Sequence, residues 1–155
     1  MATITQFEDL KIWKLARELA KEVHGVYVAS EPFSKDYKLK DQINGASGSV
    51  MDNIAEGFER GGRNEFINFL SIAKGSCGEV KSQLYRVLDR KYISEEKFND
   101  LYKKADFLGK KIGAFIKYLN STIIAGNKFK NRQASGNSNQ PDTQNAKHET
   151  QNPQP

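Results

Sequence analysis

The sequence contains little of what disulfide frameworks, metal sites and most active sites need. Cys77 is its single cysteine, which excludes an intrachain disulfide and is typical of a reducing compartment. Its two histidines, His24 and His148, lack the Glu-x-x-His spacing by which helical proteins hold paired metal ions. No Cys-x-x-Cys pair, phosphate-binding glycine loop or nucleophile elbow occurs either. We therefore predict no metal, no cofactor and no enzymatic activity.

Long apolar runs are also absent. No uncharged apolar segment approaches the roughly 18 residues that are needed to span a bilayer. The N-terminal residues have neither a basic start nor an apolar core before a cleavage site, so they do not resemble a signal peptide. Charged residues make up 28% of the chain and hydrophobic residues 37%, which is the balance of a water-soluble domain. We expect a cytoplasmic protein without a membrane partner.

Helical periodicity is what the chain does have, and it is clearest near residue 110. Apolar residues recur there at alternating spacings of three and four, as in the a/d seam of a helix that packs lengthwise on other helices. The seam consists of Phe98, Leu101, Ala105, Leu108, Ile112, Phe115 and Leu119. This pattern predicts a long helix over about residues 94–120.

Similar stripes predict three earlier helices. The first has apolar residues from Ile12 to Val26 and ends at Glu31-Pro32-Phe33-Ser34, because proline disfavours helix in the residue before it. Ser34 is then a candidate N-cap for the second helix. The second and third helices are predicted over about residues 36–60 and 64–90.

Four helices of similar length with short links favour an antiparallel, up-down-up-down four-helix bundle. We therefore predict an all-α fold with this bundle over residues 1–122. Residues 123–155 are rich in Asn, Gln, Ser, Lys and Pro and have almost no apolar side chains. Such a segment cannot bury enough surface to order itself, so we predict a disordered polar tail.

The second and third predicted helices each contain a waist of small residues, Gly45–Ser49 and Gly75–Gly78. Because small side chains let two helices approach closely, we predict that the two waists face each other. Asn53 and Glu56 lie one turn apart near the first waist, and Glu79 lies near the second. We interpret these polar residues as a hydrogen-bond network, buried or between subunits, that sets helix register rather than as a site.

Short motifs in a fixed order give the chain a family resemblance. They are Phe7-Glu-Asp-Leu10, Trp13-Lys-x-Ala16, Asp41-Gln-Ile43, Asn53-Ile-Ala-Glu-Gly57, Glu65-Phe66, Phe69-Leu70, Ile72-Ala73-x-Gly75-Ser76 and Glu79. Over about residues 7–120 the chain thereby resembles the four-helix bundle proteins encoded in intervening sequences of bacterial 23S ribosomal RNA genes. The resemblance implies a homopentameric ring, a role in nucleic-acid binding, no enzymatic activity, and a distant relation to proteins that accompany reverse transcriptases. One departure is Asn44-Gly45, where many relatives carry a basic residue.

Basic residues concentrate in the second half of the predicted bundle, where residues 62–120 hold 12 basic and 7 acidic side chains, a net +5. We predict that this surface binds RNA or another nucleic acid through phosphate contacts. A homopentamer would multiply the chain's own net charge of +5 by five, to +25. The alternative is that the basic side chains only solvate the bundle. The candidate residues are Arg60, Arg63, Lys74, Lys81, Lys103, Lys104, Lys110, Lys111 and Lys117.

Several large apolar side chains fall outside the predicted seams and are candidates for an oligomer interface, where Tyr and Phe are enriched. They are Phe69, Ile72, Tyr85, Tyr102, Phe107 and Tyr118. One alternative is a wide core in which the register is shifted by one residue, and another is that the tyrosines stack on bases.

These observations predict a non-enzymatic homo-oligomer that binds RNA or DNA through a basic surface. The alternative function is that of a protein-interaction scaffold. An accessory subunit for a reverse transcriptase or for an RNA-processing enzyme would be a protein of that kind.

Overall fold

The computed structural model describes residues 3–136, with side chains through residue 122. Within these residues the chain forms five α-helices, a short 3-10 turn at Phe7–Asp9 and no strand, which confirms the predicted all-α fold. The helices are α1 (Lys11–Ala29), α2 (Glu31–Lys35), α3 (Tyr37–Glu59), α4 (Arg63–Asp89) and α5 (Glu95–Gly136). None of the helices described is long and apolar enough to cross a membrane.

The four long helices contribute to one hydrophobic core. The seam predicted for α5 is buried from Phe98 to Ile112, and Phe115 and Leu119 pack against the core from partly buried positions. The other helices contribute through their own predicted stripes. Fully buried members include Leu19 and Val23 of α1, Leu39, Ile43, Val50 and Ile54 of α3, and Leu70, Val80 and Leu84 of α4.

Each long helix lies beside two others. Helix α3 packs against both α1 and α4. Helix α5 contacts α4 where Lys81 bonds to Asp106, and it contacts α1 where Lys104 bonds to Glu22. We name the surface between α4 and α5 around Lys81 and Asp106 the α4/α5 groove, and the surface between α1 and α5 around Glu22 and Lys104 the α1/α5 face.

The link predicted between the first two long helices contains a helix of its own. Pro32 lies in the first turn of α2, where its missing N–H has no helical partner to lose. Ser34 is therefore inside α2, and the predicted N-cap role falls instead to Asp36, whose Oδ1 accepts a hydrogen bond from the Leu39 N–H at 3.3 Å. Phe33 of α2 is buried, with its ring stacked on Tyr92 at a centroid distance of 5.2 Å.

The two small-residue waists do face each other, as predicted. The hydroxyl oxygens of Ser49 on α3 and Ser76 on α4 are 2.9 Å apart. The glycines of the waists are not the closest points, however, because a Cβ added at Gly45 or Gly75 would meet nothing within 4 Å. The tight contact lies at Gly57, where an added Cβ would be 2.6 Å from the Phe69 Cβ.

The C-terminal end of α5 differs from the prediction. We predicted a helix end near Asn120 and a disordered tail from residue 123, but the helix continues to Gly136. No proline interrupts this stretch, and a single glycine at position 126 costs a helix only about 1 kcal/mol. The rest of the predicted tail, residues 137–155, lies outside the described residues. By its contacts the chain divides into two units, Met1–Ser121 and Thr122–Pro155.

Candidate nucleic-acid interface

The α4/α5 groove is an open cleft of about 530 Å³ between α4 and α5. Four lysines line it, and Asp106 is the only acidic residue among the described residues of its lining. Four lysines against one carboxylate give the groove a net charge of +3. The lysines are Lys74 and Lys81 on α4 and Lys110 and Lys117 on α5, and the floor is formed by Cys77, Gly78, Ala105, Gly109, Gly113 and Ala114.

Small residues on both helices make this groove. On α5, Ala105, Gly109 and Gly113 follow one another at intervals of four and so lie on one face. A Cβ at Gly109 would lie 3.5 Å from the Cβ of Cys77, so the two backbones approach closely there. A Cβ at Gly113 would lie 3.6 Å from the Nζ of Lys74, which means that this lysine extends across the groove. Because the floor consists of small residues, the ammonium groups of the lysines are the main polar groups that the cleft presents.

Asp106 neutralises only part of the charge. Its Oδ1 accepts a hydrogen bond from Lys81 at 3.0 Å, and its Oδ2 lies 2.7 Å from the Nζ of Lys110. Hydrogen bonds from Lys110 and Lys81 lower the pKa of Asp106, and the bond to Asp106 raises the pKa of Lys81. Lys74 and Lys117 have no acidic partner among the residues whose side chains are described, so their charges are available to a ligand.

The remaining predicted basic residues lie elsewhere. Arg60 donates to Glu56 at 2.8 Å and lies over the Phe69 ring, and Arg63 begins α4 at the same end of the molecule. On the α1/α5 face, the Nζ of Lys104 is 2.7 Å from Glu22, and Lys111 lies over the ring of Phe107. Lys103 is exposed on α5. The predicted set is therefore not one surface, and the groove collects four of its nine members.

The six predicted interface residues are also divided among faces. Tyr85 and Tyr102 lie together beside the α4/α5 groove, with ring centroids 5.8 Å apart. Phe69 lies on the side of α4 that meets α3, and Ile72 lies one turn before Ser76, which contacts α3. Phe107 lines a cleft on the α1/α5 face. Tyr118 stacks on Phe115 near the end of the described side chains.

Exposure decides between the core and surface interpretations of these residues. The exposed fraction is 52% for Ile72, 51% for Tyr85, 47% for Phe107 and 61% for Tyr118. The alternative of a wide core with a shifted register is therefore wrong for these four side chains. Phe69 and Tyr102 are partly buried.

The predicted polar network forms around only one of its three residues. Asn53 donates from Nδ2 to the backbone oxygen of Ser49 at 2.8 Å and to its hydroxyl at 2.9 Å, which joins it to the Ser49–Ser76 contact between α3 and α4. Glu56 instead pairs with Arg60, and Glu79 is exposed. Asn53 thus supports helix register, while the two glutamates take no part in such a network within one chain. Their role between subunits stays a prediction.

Cys77 is a buried part of the groove floor. Burial raises the pKa of its thiol to about 12, so it stays protonated and unreactive near neutral pH. In the part of the chain that the structure describes, no group of three or more His, Cys, Asp and Glu side chains is placed to hold a metal ion.

Sequence reasoning missed the residues that shape the groove, namely Gly109, Gly113 and Asp106. A signal was present for the glycines, because Ala105-x-x-x-Gly109-x-x-x-Gly113 is a small-residue stripe next to the predicted seam. Asp106 lies four residues before Lys110, a spacing that already predicts an ion pair. Its second partner, Lys81, is 25 residues away and depends on the packing of α4 against α5.

Comparison with known proteins agrees with the fold. The model of the 23S rRNA-intervening sequence protein family matches residues 8–114. A crystal structure of a protein of unknown function from the S23 ribosomal protein family of Bacteroides thetaiotaomicron VPI-5482 is 24% identical and superposes with a TM-score of 0.64, covering 68% of this chain and 98% of that one. No curated protein matches the chain. The chain belongs to the 23S rRNA-intervening sequence protein family.

Proposed function

We propose that this member of the 23S rRNA-intervening sequence protein family is a non-enzymatic, homo-oligomeric nucleic-acid-binding protein. Its ligand is RNA or another nucleic acid, and the binding surface is the α4/α5 groove. The observation that carries the proposal is the net +3 charge of this cleft, which includes two lysines without an acidic partner among the described side chains.

The chemistry of the groove suits a phosphate backbone. Lysine acts as a flexible point charge, and such contacts neutralise phosphates without reading sequence. Lys74 lies against Gly113 and Lys117 is one turn beyond Gly113, so both lie toward the end of the cleft away from Lys81 and Asp106. If up to four lysines contact phosphates, the slope of log K against the logarithm of the salt concentration would be about −3.

The proposal includes an antiparallel four-helix bundle as the scaffold of the groove. The contacts between α3 and α4 support it, because the residue numbers of the contacting partners fall along α4 as they rise along α3. The pairs are Gln42 with Arg86, Ser49 with Ser76, and Gly57 with Phe69. Between α4 and α5 the pairs Lys81–Asp106 and Lys74–Gly113 run in the same sense.

Assembly into a ring would explain the exposure of Ile72 and Phe107. A closed ring with heterologous contacts uses two different surfaces of each subunit. Phe69 and Ile72 on the α3 side of α4 supply one such surface, and Phe107 on the α1/α5 face supplies a second. The α4/α5 groove is separate from both and stays open to a ligand. A pentamer, the number that the family resemblance implies, would repeat the groove five times.

Fluorescence anisotropy with labelled RNA tests the nucleic-acid proposal. We expect affinity to fall steeply with salt, and the double variant Lys74→Glu/Lys117→Glu to reduce it strongly, because both unpaired lysines of the groove become negative. The matched control is Lys14→Glu/Lys21→Glu, which makes the same charge change at exposed positions of α1. Equal losses in the two variants would mean that only net charge matters and that the groove is not the site.

Light scattering tests the oligomer. We expect the chain to elute as a multimer, and Ile72→Glu or Phe107→Glu to dissociate it while circular dichroism shows an intact fold. Val28→Glu is the control, because Val28 is 62% exposed but lies on neither proposed surface. A monomeric parent chain at micromolar concentration would contradict assembly.

A further inference from the structure

We propose that the α4/α5 groove takes a single-stranded polynucleotide, with its phosphates on the groove lysines and a base stacked on Tyr85. This inference rests on the proposed nucleic-acid function and makes its ligand class specific. The observation behind it is an aromatic cluster with one exposed ring, Tyr85, at one end of a cationic cleft.

The cluster consists of three rings that support one another. The Tyr85 ring is 4.9 Å from Phe98 and 5.8 Å from Tyr102, measured between centroids. Phe98 is 8% exposed and belongs to the core, so it forms the base on which the outer rings rest. Tyr85 is 51% exposed. An exposed ring held by a buried one is a preorganised surface for stacking.

The cluster is continuous with the groove. The Nζ of Lys81 lies 5.5 Å from the centroid of Tyr102 and also bonds to Asp106 inside the groove. Tyr85 follows Lys81 by four residues on α4, and Tyr102 precedes Asp106 by four on α5, so each tyrosine lies one turn beyond a groove residue. From Tyr102 to Lys117 the helix rises about 22 Å, long enough for several phosphates in a row.

Aromatic platforms distinguish single strands from duplexes. In a duplex the faces of the bases are already stacked on each other, whereas a single strand can place an unstacked base on a protein ring. Lysines alone would attract either form, because they contact only phosphates. A cleft that combines four lysines with an exposed ring at its end therefore favours the single strand.

A second copy of the chain is the competing occupant, since Tyr85 and Tyr102 were also candidates for an oligomer interface. The charge of the site argues against it. Burying Tyr85 against another protein would also cover Lys81 and the adjoining groove with its net +3 charge, which demands a strongly acidic partner surface. A polynucleotide supplies that negative charge along its whole length.

The test uses the full chain, a fluorescein-labelled 12-nucleotide oligouridine, a duplex RNA of the same length and an oligothymidine. We expect the oligouridine to bind more tightly than the duplex. Tyr85→Ala should weaken oligouridine binding about tenfold, the scale of one lost stacked base, without changing the duplex affinity or the salt slope. Tyr85→Phe keeps the ring and should retain affinity. Tyr37→Ala, at an exposed tyrosine of α3, is the control and should change nothing.

The oligothymidine tests whether the single strand is RNA or DNA. If it binds as tightly as the oligouridine, the groove accepts either nucleic acid, and if it binds more weakly, the ligand is RNA. Equal affinity for duplex and single strand, or no effect of Tyr85→Ala, overturns the inference while loss of binding in Lys74→Glu/Lys117→Glu still upholds the proposed function. If light scattering shows that Tyr85→Ala changes the molecular mass of the assembly, the inference is also overturned, because the ring would then belong to a subunit interface. Absence of binding to all three probes overturns the proposed function itself.

Discussion

The two surfaces that flank α5 use lysines in opposite ways. On the α1/α5 face, Lys97 and Lys104 both contact Glu22 and Asp100, so that two cations meet two carboxylates. In the α4/α5 groove, four lysines line a cleft with one carboxylate, Asp106, which pairs with only two of them, Lys81 and Lys110. The same helix thus has one side on which Lys97 and Lys104 are paired with carboxylates, and another on which Lys117 has no acidic partner among the described side chains.

This difference shows that lysine spacing predicts a basic helix but not where its charge is available. Glu22 lies 75 residues from Lys97 and 82 from Lys104 in the sequence, and only the packing of α1 on α5 brings them together. Paired lysines are expected to contribute to stability and unpaired ones to ligand binding. Four changes can break or sharpen that distinction.

Reversing charge on each side of α5 should give the largest contrast. Lys74→Glu/Lys117→Glu is expected to weaken RNA binding about 100-fold and to reduce the salt slope by about 2, because two phosphate contacts are lost. Lys97→Glu/Lys104→Glu changes the net charge equally but should mainly lower the free energy of unfolding, by roughly 1 kcal/mol, as like charges then face Glu22 and Asp100. Anisotropy titrations and urea unfolding of both variants check this, and matching behaviour would remove the distinction.

Substitution of Asp36 tests whether an ion pair that does not involve α5 also stabilises the fold. Its carboxylate caps α3 and accepts hydrogen bonds from Arg90 and Tyr92, so Asp36→Ala should reduce the free energy of unfolding by about 2 kcal/mol at pH 7. Asp36→Asn should lose less, because asparagine also caps helices. RNA binding should be unchanged in both variants, and a weakened RNA affinity would contradict the assignment.

The pH dependence of Asp36 has a definite sign. Burial acts to raise the pKa of Asp36, but the hydrogen bonds from Arg90, the Leu39 N–H and Tyr92 outweigh it and lower the pKa below the ordinary 3.8. A carboxylate of this kind stabilises the fold fully above its unfolded pKa and loses that contribution as pH falls through the folded value. The stability difference between the parent chain and Asp36→Asn should therefore be constant near neutrality and shrink below about pH 4.

Asp106→Asn should sharpen the comparison in the opposite direction. Removing the one carboxylate in the described lining of the groove frees Lys81 and Lys110, and RNA affinity is expected to rise about fivefold at low salt. Asp100→Asn on the α1/α5 face is the matched control, because it also removes a carboxylate that binds two lysines. An equal gain in the control would show that the whole surface of α5 contributes.

The smallest effect is expected at Lys91, an exposed lysine in neither region. It directly follows Arg90, the C-cap of α4, with a φ of +59°, and the Tyr92 N–H bonds to the Val87 oxygen at 3.1 Å, as in a helix end that usually carries glycine. Lys91→Gly should raise the free energy of unfolding by about 1 kcal/mol, because glycine adopts this conformation without strain. RNA affinity should not change despite the lost charge. A lower melting temperature would contradict the interpretation.

Sequence reasoning succeeded where the signal was local or periodic. The α5 seam was predicted residue by residue, and the Ser49–Ser76 contact follows from two stretches of small residues. It failed where neighbours in space are distant in sequence. Neither the ion pair between Asp36 and Arg90 nor the division of the basic residues among three surfaces was predicted, because each depends on how helices pack. The N-cap role of Asp36 is by contrast a local feature, three residues from Leu39, and that role was predicted for Ser34 instead.

By itself, then, the sequence determined that the chain is helical and which side of each long helix is apolar. Helix propensity and the spacing of apolar residues are properties of a single segment, so they can be recognised without knowing which other segment it packs against. Only the tertiary structure decided which lysines keep their charge and where an aromatic ring adjoins them. Ion pairing requires side chains to come within about 4 Å, and for residues many turns apart only the packing of one helix on another achieves that.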